Sequence, residues 1–78
     1  MRYVIDGSQS KGTILEIINR LKAKDNGNEI IVLSKNIKSL EDIQSEIVYH
    51  FGESFLENGI VNLMYKKEYK HKKDDVKL

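Results

Sequence analysis

The sequence predicts a small α/β (α+β) domain, a two-layer sandwich with the element order β-α-β-α-β(-β). Two apolar segments, residues 2–6 and 29–33, each precede a stretch with helical spacing of apolar residues. A third apolar segment, which alternates with polar residues, begins at residue 60. Consecutive βα units with right-handed crossovers put their helices on the same side of a sheet. We therefore expect two helices on one face of a three- or four-stranded sheet.

The first unit runs from a short strand into a helix. Residues 3–5 are aromatic or β-branched and favour a strand, and residues 7–12 have the composition of a turn. Ser10 is suited to cap the helix that follows. Residues 25–28 end this helix, with Gly27 suited to a left-handed C-cap. Four apolar residues share one face of the helix at i, i+3, i+4 and i+7: Ile14, Ile17, Ile18 and Leu21.

The second unit repeats this design with a stronger strand. Residues 29–33 form a near-continuous apolar run, which is typical of a strand covered on at least one face. Residues 34–38 form a polar loop, Ser39 is the predicted N-cap of the second helix, and Gly52 is its predicted stop. The apolar stripe of this helix consists of Leu40, Ile43, Ile47 and Phe51.

The C-terminal third leaves two interpretations open before the last apolar strand. Residues 55–61 contain Asn58-Gly59, which indicates either a β-hairpin or a plain loop that feeds one strand. Residues 71–78 are rich in charge and poor in apolar side chains, so we expect a disordered tail there. The predicted folded domain therefore covers residues 1–70.

Length and composition restrict the class of protein. A chain of 78 residues favours a single domain with a thin core, and no cysteine is present to supply disulfides or thiolate ligands. Small domains of this kind often associate, so we expect a homodimer. The face of the sheet away from the helices, with Val4, Ile31 and Met64, is the predicted place for a second copy to pack.

The start of the chain lacks the pattern of a secretory signal, and no apolar run is long enough to span a membrane. We therefore expect a cytoplasmic protein. The formal net charge is +1, from 13 basic and 12 acidic residues, which is not the strongly basic balance of a typical nucleic-acid binder. The charge is unevenly distributed, because residues 66–73 are strongly basic and residues 41–57 contain acidic residues but no lysine or arginine.

Residues 29–39 (EIIVLSKNIKS) and 46–51 (EIVYHF), together with the strand-turn-helix at 3–21, resemble the Alba superfamily of small nucleic-acid-binding proteins. The layout is also similar to that of the C-terminal domain of bacterial translation initiation factor three. The Alba resemblance implies a non-catalytic protein with a basic loop after the second strand. The chain departs from the family in two places: the turn at 7–12 holds a single lysine, and the C-terminus is short for a β-hairpin arm.

Six lysines are the candidate nucleic-acid contacts. Three of them lie just before or at the start of the two helices, where a lysine is suited to contact a phosphate group. The other three follow the last strand near Tyr65 and Tyr69, whose aromatic rings are suited to stack on bases. The alternative is that these lysines form a solvated surface and a solubilising tail. The six residues are Lys11, Lys35, Lys38, Lys66, Lys67 and Lys70.

Catalytic, metal and cofactor sites are not expected. Asp6 follows a strand, as the first carboxylate of PIN- and NYN-type nucleases does, but Asp6-Gly7 is also ordinary turn chemistry, which we favour. His50 and His71 have no predicted partner ligands. The glycine spacing of Gly7 and Gly12 matches a phosphate loop that lacks its lysine.

Two functions follow from these features. The first is a small non-catalytic protein that binds DNA or RNA through phosphate contacts. The alternative is a protein-interaction module, such as a regulator or inhibitor from a phage or mobile element. This module would use the acidic outer face of the second helix or the open face of the sheet.

Overall fold

The computed structural model describes residues 1–24 and 27–78. It confirms the predicted fold class, because four strands form one parallel sheet in the order β3-β2-β1-β4 and the helices pack on it as a second layer. In chain order, the elements are β1 (Arg2–Asp6), α1 (Lys11–Lys24), β2 (Glu29–Ser34), α2 (Ile37–Phe51), α3 (Ser54–Glu57), β3 (Val61–Tyr65), a 3-10 helix (Lys66–Glu68) and β4 (Asp75–Lys77).

The core lies between the sheet and the two long helices. Ile14 and Ile18 of α1 and Ile43 and Ile47 of α2 are buried, as the apolar spacing predicts. Their common cluster shows that both helices cover the same face, in agreement with right-handed crossovers. The strands and α3 complete this cluster with Ile5, Ile30, Val32, Phe55 and Val61.

The ends of the helices agree with the sequence pattern at most of the described positions. The Ser10 Oγ accepts a hydrogen bond from the Thr13 N–H at 3.2 Å, which confirms Ser10 as the cap of α1. Gly52 follows the last residue of α2 with a φ of +89° and donates its N–H to the Val48 carbonyl at 2.9 Å. Of the predicted end of α1 at residues 25–28, residues 25 and 26 lie outside the described part of the chain.

The start of α2 lies three residues earlier than predicted. Asn36 adopts an extended backbone, and its Oδ1 accepts from the N–H groups of Lys38 at 2.8 Å and Ser39 at 3.4 Å. Asparagine and serine are both good N-caps, so the choice depends on where the chain leaves β2. The prediction of Ser39 as the cap is therefore wrong.

The segment before β3 is a loop with one helical turn rather than a hairpin. Phe55 in α3 is only 3% exposed, and its ring stacks on Phe51 with centroids 4.8 Å apart. Burial of this aromatic ring holds the segment against the end of α2. Gly59 then takes a φ of +70° and directs the chain into β3.

The expected tail contributes a strand. Residues 75–77 form β4, which pairs in parallel with β1, so that Arg2 lies opposite Asp75 and Val4 opposite Lys77. The side chain of Asp75 is fully buried. An aspartate in a highly charged terminal segment is expected to be exposed to solvent. Asp75 is instead buried, and its charge is neutralised by Arg2.

The second face of the sheet is not open as expected. Val4 is 4% exposed and Ile31 is 1% exposed within the single chain. The connection from β3 to β4, residues 66–74, passes beside this face: the Arg2 Nη2 donates to the Lys70 carbonyl at 3.2 Å, and Tyr69 lines a cavity together with Val4. The homodimer thus remains a prediction, and the burial of Val4 and Ile31 removes much of the argument for it.

Candidate functional site at the carboxyl edge of the sheet

A cavity of about 770 Å³ lies where the four parallel strands end, and we call it the carboxyl-edge cavity. Its volume falls within the range of roughly 300–1,000 Å³ that is common for small-molecule sites. Every strand supplies part of the lining, either from its last residues or from the residue that follows. The lining residues are Val4, Asp6, Ser8, Leu33, Ser34, Lys35, Asn36, Ser39, Lys66, Tyr69, Lys77 and Leu78.

The cavity also lies at a topological switch point of the sheet. The chain leaves β1 through α1 on the helix-covered face, whereas it reaches β4 through residues 66–74, which pass beside the other face. Connections that diverge in this way leave a crevice outside the carboxyl ends of the neighbouring strands. Ligands of open α/β sheets bind in such crevices, so the topology indicates the same place as the cavity.

The wall formed by residues 34–36 is held by its own hydrogen bonds. The buried Ser34 Oγ donates to the Asn36 carbonyl at 3.2 Å and accepts from the Asn36 N–H at 3.1 Å. Because Asn36 also caps the N–H groups of Lys38 and Ser39, these donors at the start of α2 are already engaged. Side chains, rather than these backbone N–H groups, would therefore supply most of the contacts to an anion in the cavity.

Gly7 brings the ends of β1 and β2 together at the base of this edge. Its N–H donates to the Leu33 carbonyl at 2.7 Å. A Cβ atom at this position would lie 2.4 Å from the same oxygen, which is closer than atoms can approach without a shift of the backbone. Glycine is thus required here by close contact, with no contribution from a special backbone angle.

Asp6 acts as a turn former, in agreement with the sequence interpretation. Its Oδ1 accepts from the Ser8 N–H at 2.9 Å and from the Ser8 Oγ at 2.8 Å. These bonds lower the pKa of the Asp6 carboxyl, and the positive charges of Lys66 and Lys35 lower it further. Among the residues that the structure describes, no group of three or more histidine or acidic side chains could hold a metal ion.

Positive charge exceeds negative charge among the side chains that line the cavity. Lys35, Lys66 and Lys77 contribute three cations, whereas the Asp6 side chain and the terminal carboxylate of Leu78 contribute two anions, which leaves a formal excess of one positive charge. Within residues 1–24 and 27–78, no salt bridge joins any of these three lysines to an acidic side chain. The cavity is therefore suited to an anionic ligand.

The structure brings together two of the six predicted lysines, Lys35 and Lys66, in this cavity. Lys11 and Lys38 lie in the first turns of α1 and α2, at the same edge but outside the lining. The Lys11 Nζ lies 3.7 Å from an Asp42 carboxylate oxygen, so its charge is partly neutralised.

The other two predicted lysines lie on the connection from β3 to β4. Lys67 follows Lys66 in the 3-10 helix and does not line the cavity. The Lys70 carbonyl accepts a hydrogen bond from Arg2 at the amino edge of the sheet, so the chain has left the cavity by this point.

Sequence reasoning missed Lys77 and the polar wall of Ser8, Ser34 and Asn36. Lys77 lies in the segment that the sequence predicts as a tail, although the alternation of Val76 and Leu78 around it is a weak strand signal. The spacing of Ser34 and Asn36 matches no binding motif, so the sequence predicts only a loop at these positions. Their proximity to Lys66 and Lys77 depends on the order of strands in the sheet.

Tyr69 links the cavity to a second charged group at the amino edge, which we call the Arg2 cluster (Arg2, Tyr69 and Asp75). The Asp75 carboxylate accepts from the Arg2 Nε at 2.8 Å and from the Arg2 Nη2 at 3.0 Å, and it also accepts from the Tyr69 hydroxyl. The Lys72 N–H adds a further bond at 3.0 Å.

Within the Arg2 cluster, the hydrogen bond from Arg2 holds the pKa of Asp75 well below its usual range, and the bond from Tyr69 adds to this effect. The hydrogen bond to Asp75 raises the pKa of Tyr69. The Arg2 guanidinium also lies 5.8 Å from the centre of the Tyr69 ring, at cation–π distance. The cluster therefore fixes the position of one lining residue of the carboxyl-edge cavity.

Comparisons with protein-family models, curated proteins and solved structures found no match to this chain. No helix in the described part of the chain is long and apolar enough to cross a membrane.

Proposed function

We propose that the chain is a small, non-catalytic cytoplasmic protein that binds DNA or RNA and contacts phosphate groups with the lysines at the carboxyl edge of the sheet. One observation carries the proposal: Lys35, Lys66 and Lys77 come from three separate segments and line the same cavity without forming salt bridges to acidic side chains in the described residues. The Alba-like pattern of residues 29–39 supports the same interpretation.

The surroundings of the cavity extend the basic surface. Lys38 lies in the first turn of α2 at the same edge, and Lys67 follows Lys66 in the 3-10 helix. Both side chains are exposed. Lysines on flexible stems bind phosphates without reading bases. Binding should therefore depend weakly on sequence and strongly on salt, with a slope of log K against log salt of about −0.7 per contacted phosphate on single strands and −0.9 on duplex DNA.

Fluorescence anisotropy with a labelled single-stranded RNA and a labelled DNA duplex tests the proposal at low and moderate salt. Micromolar binding that weakens with salt and with Lys35→Glu is the expected result. The matched control is Arg20→Glu, an equal charge reversal on an exposed residue of α1 that pairs with Glu16 outside the cavity. Absence of binding at low salt, or an equal loss with both variants, would exclude the proposal.

A second candidate function is the binding of a basic protein partner by α2. The side chain of Tyr49 is 83% exposed and lines a shallow surface depression with Glu41, Gln44, Ser45 and Val48. Tyrosine is enriched at protein–protein interfaces, and the negative charge of Glu41 beside it would attract a basic partner. A lysine-rich peptide should then bind with an affinity that Tyr49→Ser lowers and Lys35→Glu does not. The opposite dependence would contradict this candidate.

The homodimer is tested separately by light scattering after size exclusion. A mass of twice that of the chain at micromolar concentration would support the prediction. The mass of a single chain up to millimolar concentration would contradict it.

A further inference from the structure

We infer that the carboxyl-edge cavity receives a phosphomonoester carried by a single nucleotide unit, as found at the end of a strand or on a free nucleotide. This inference rests on the proposed function and specifies which part of a nucleic acid the cavity takes. The other exposed lysines at this edge would contact phosphodiesters of the adjoining strand.

The form of the site is the first reason. Direct contact with the outside of a duplex needs only a basic surface, whereas this site is a concave cavity of about 770 Å³. The ends of β1, β2 and β4, the loop that leads into α2, and two residues of the connection from β3 to β4 all contribute to its lining. A volume of this size matches ligands of nucleotide size.

The charge of the lining is the second reason. A phosphodiester carries one negative charge, whereas a phosphomonoester carries about 1.5 to 2 at neutral pH. A monoester also offers three terminal oxygens, one for each of the three lysines that line the cavity, whereas a diester offers two. Three lysines that converge on one cavity are more than a single diester needs.

The rigidity of the surrounding loops is the third reason. The side chains of Asp6, Ser8, Ser34 and Asn36 bond within their own turns, so the polar walls are already in place before a ligand arrives. Polar groups that are already held in place limit the entropy cost of binding.

The apolar part of the lining suits the remainder of a nucleotide. Val4, Leu33 and Tyr69 contribute carbon surface next to the lysines. The Tyr69 hydroxyl is bonded to Asp75, so the ring is held in place. A fixed aromatic ring offers a surface for a base or a sugar.

Three oligonucleotides of one sequence test this inference, with a 5′-phosphate, a 3′-phosphate or hydroxyl groups at both ends. At least one terminal phosphate should increase affinity about tenfold over the unphosphorylated strand. Lys66→Gln should remove this preference. Lys67→Gln changes the neighbouring lysine of the same 3-10 helix, which does not line the cavity, and should preserve it. Lys35→Gln provides a second variant on a different loop, and circular dichroism confirms that each variant folds.

A nucleoside 5′-monophosphate as competitor distinguishes the strand end from the free nucleotide. Competition at micromolar concentration indicates that the nucleotide alone suffices, whereas preference for the phosphorylated strand without competition indicates that the strand end is required. Equal affinity for all three oligonucleotides, or equal effects of Lys66→Gln and Lys67→Gln on the preference for a terminal phosphate, would overturn the inference and leave the proposed function intact. Absence of binding by every oligonucleotide and by the monophosphate would overturn both.

Discussion

The charged side chains at the two ends of the β1–β4 strand pair differ in whether they are neutralised within the protein. At the amino edge, Arg2 and Asp75 are joined by two hydrogen bonds, and the Asp75 side chain is fully buried. At the carboxyl edge, Lys35, Lys66 and Lys77 are exposed around a cavity and outnumber the two carboxylates there, those of Asp6 and of the Leu78 terminus. One group neutralises itself, and the other retains an excess of positive charge.

This difference indicates which charges stabilise the fold and which are available for a ligand. A charge that leaves water must be neutralised and hydrogen-bonded within the protein, so the removal of one partner destabilises the folded state. Exposed lysines contribute little to stability and can exchange water for an anion. Changes at the amino edge should therefore alter stability, and changes at the carboxyl edge should alter binding.

The strongest test of this contrast is Asp75→Ala, for which we expect the largest loss of stability. The substitution removes the acceptor of both Arg2 and Tyr69 and weakens the attachment of β4 to β1. Thermal unfolding followed by circular dichroism should show a large decrease in Tm or loss of the transition. Asp74→Ala changes the exposed neighbouring residue and should have almost no effect. Similar Tm values for the two variants would show that the Arg2 cluster is not structural.

Gly7→Ala should destabilise the carboxyl edge by about 1–3 kcal/mol, because the new methyl group would displace the Leu33 carbonyl. Urea unfolding measures the change in free energy. Gly12→Ala is the matched control, since it lies in α1 and its Cβ would have no atom within 4 Å. The control should be neutral or slightly stabilising, by about 0.5–1 kcal/mol. Equal losses for both variants would contradict the close contact at Gly7.

Acid should destabilise the protein partly through Asp75. The folded pKa of this carboxyl lies below its unfolded value of about 3.9, so its contribution to stability is complete above that pH and is lost as the pH falls through the folded pKa. Arg2, Tyr69 and His71 are the titratable side chains that face it, with the His71 Nδ1 at 3.8 Å. The pKa of Asp6 is also lowered, so Asp6 contributes in the same direction.

Urea midpoints between neutral and strongly acidic pH measure this dependence. In Asp75→Asn, the midpoint should start lower at neutral pH and decrease less below pH 4 than in the unmodified chain, because the main titrating group is gone. A parallel decrease in both proteins would assign the acid sensitivity to other carboxyls.

Tyr69→Phe should have the smallest effect on stability and on binding. It tests the amino edge and the carboxyl edge separately, because Tyr69 contributes to both. It removes the hydroxyl that bonds to Asp75 and keeps the ring that lines the cavity. We expect a lower Tm than in the unmodified chain, but a smaller decrease than in Asp75→Ala, and oligonucleotide affinity within about twofold. A large loss of affinity at an unchanged Tm would show that the hydroxyl itself contacts the ligand.

Much of the fold follows from local pattern, but the site follows only in part. The apolar spacing of residues such as Ile14, Ile18, Ile43 and Ile47 identified the buried faces of both helices, because a helix places those positions side by side. Lys35 was recognised because its loop joins a strand to a helix. Lys77 was missed, since a three-residue strand in a charged segment has almost no periodic signal.

The sequence by itself determined the α/β class, the two βα units and the turn chemistry of Asp6, since each depends on neighbours within a few residues. Only the tertiary structure decided that β4 joins β1, that Asp75 is buried, and that lysines from three separate segments meet at one cavity. The physical reason is that strand order and charge pairing depend on contacts between residues far apart in the chain. Arg2 and Asp75, for example, are 73 residues apart and share two hydrogen bonds.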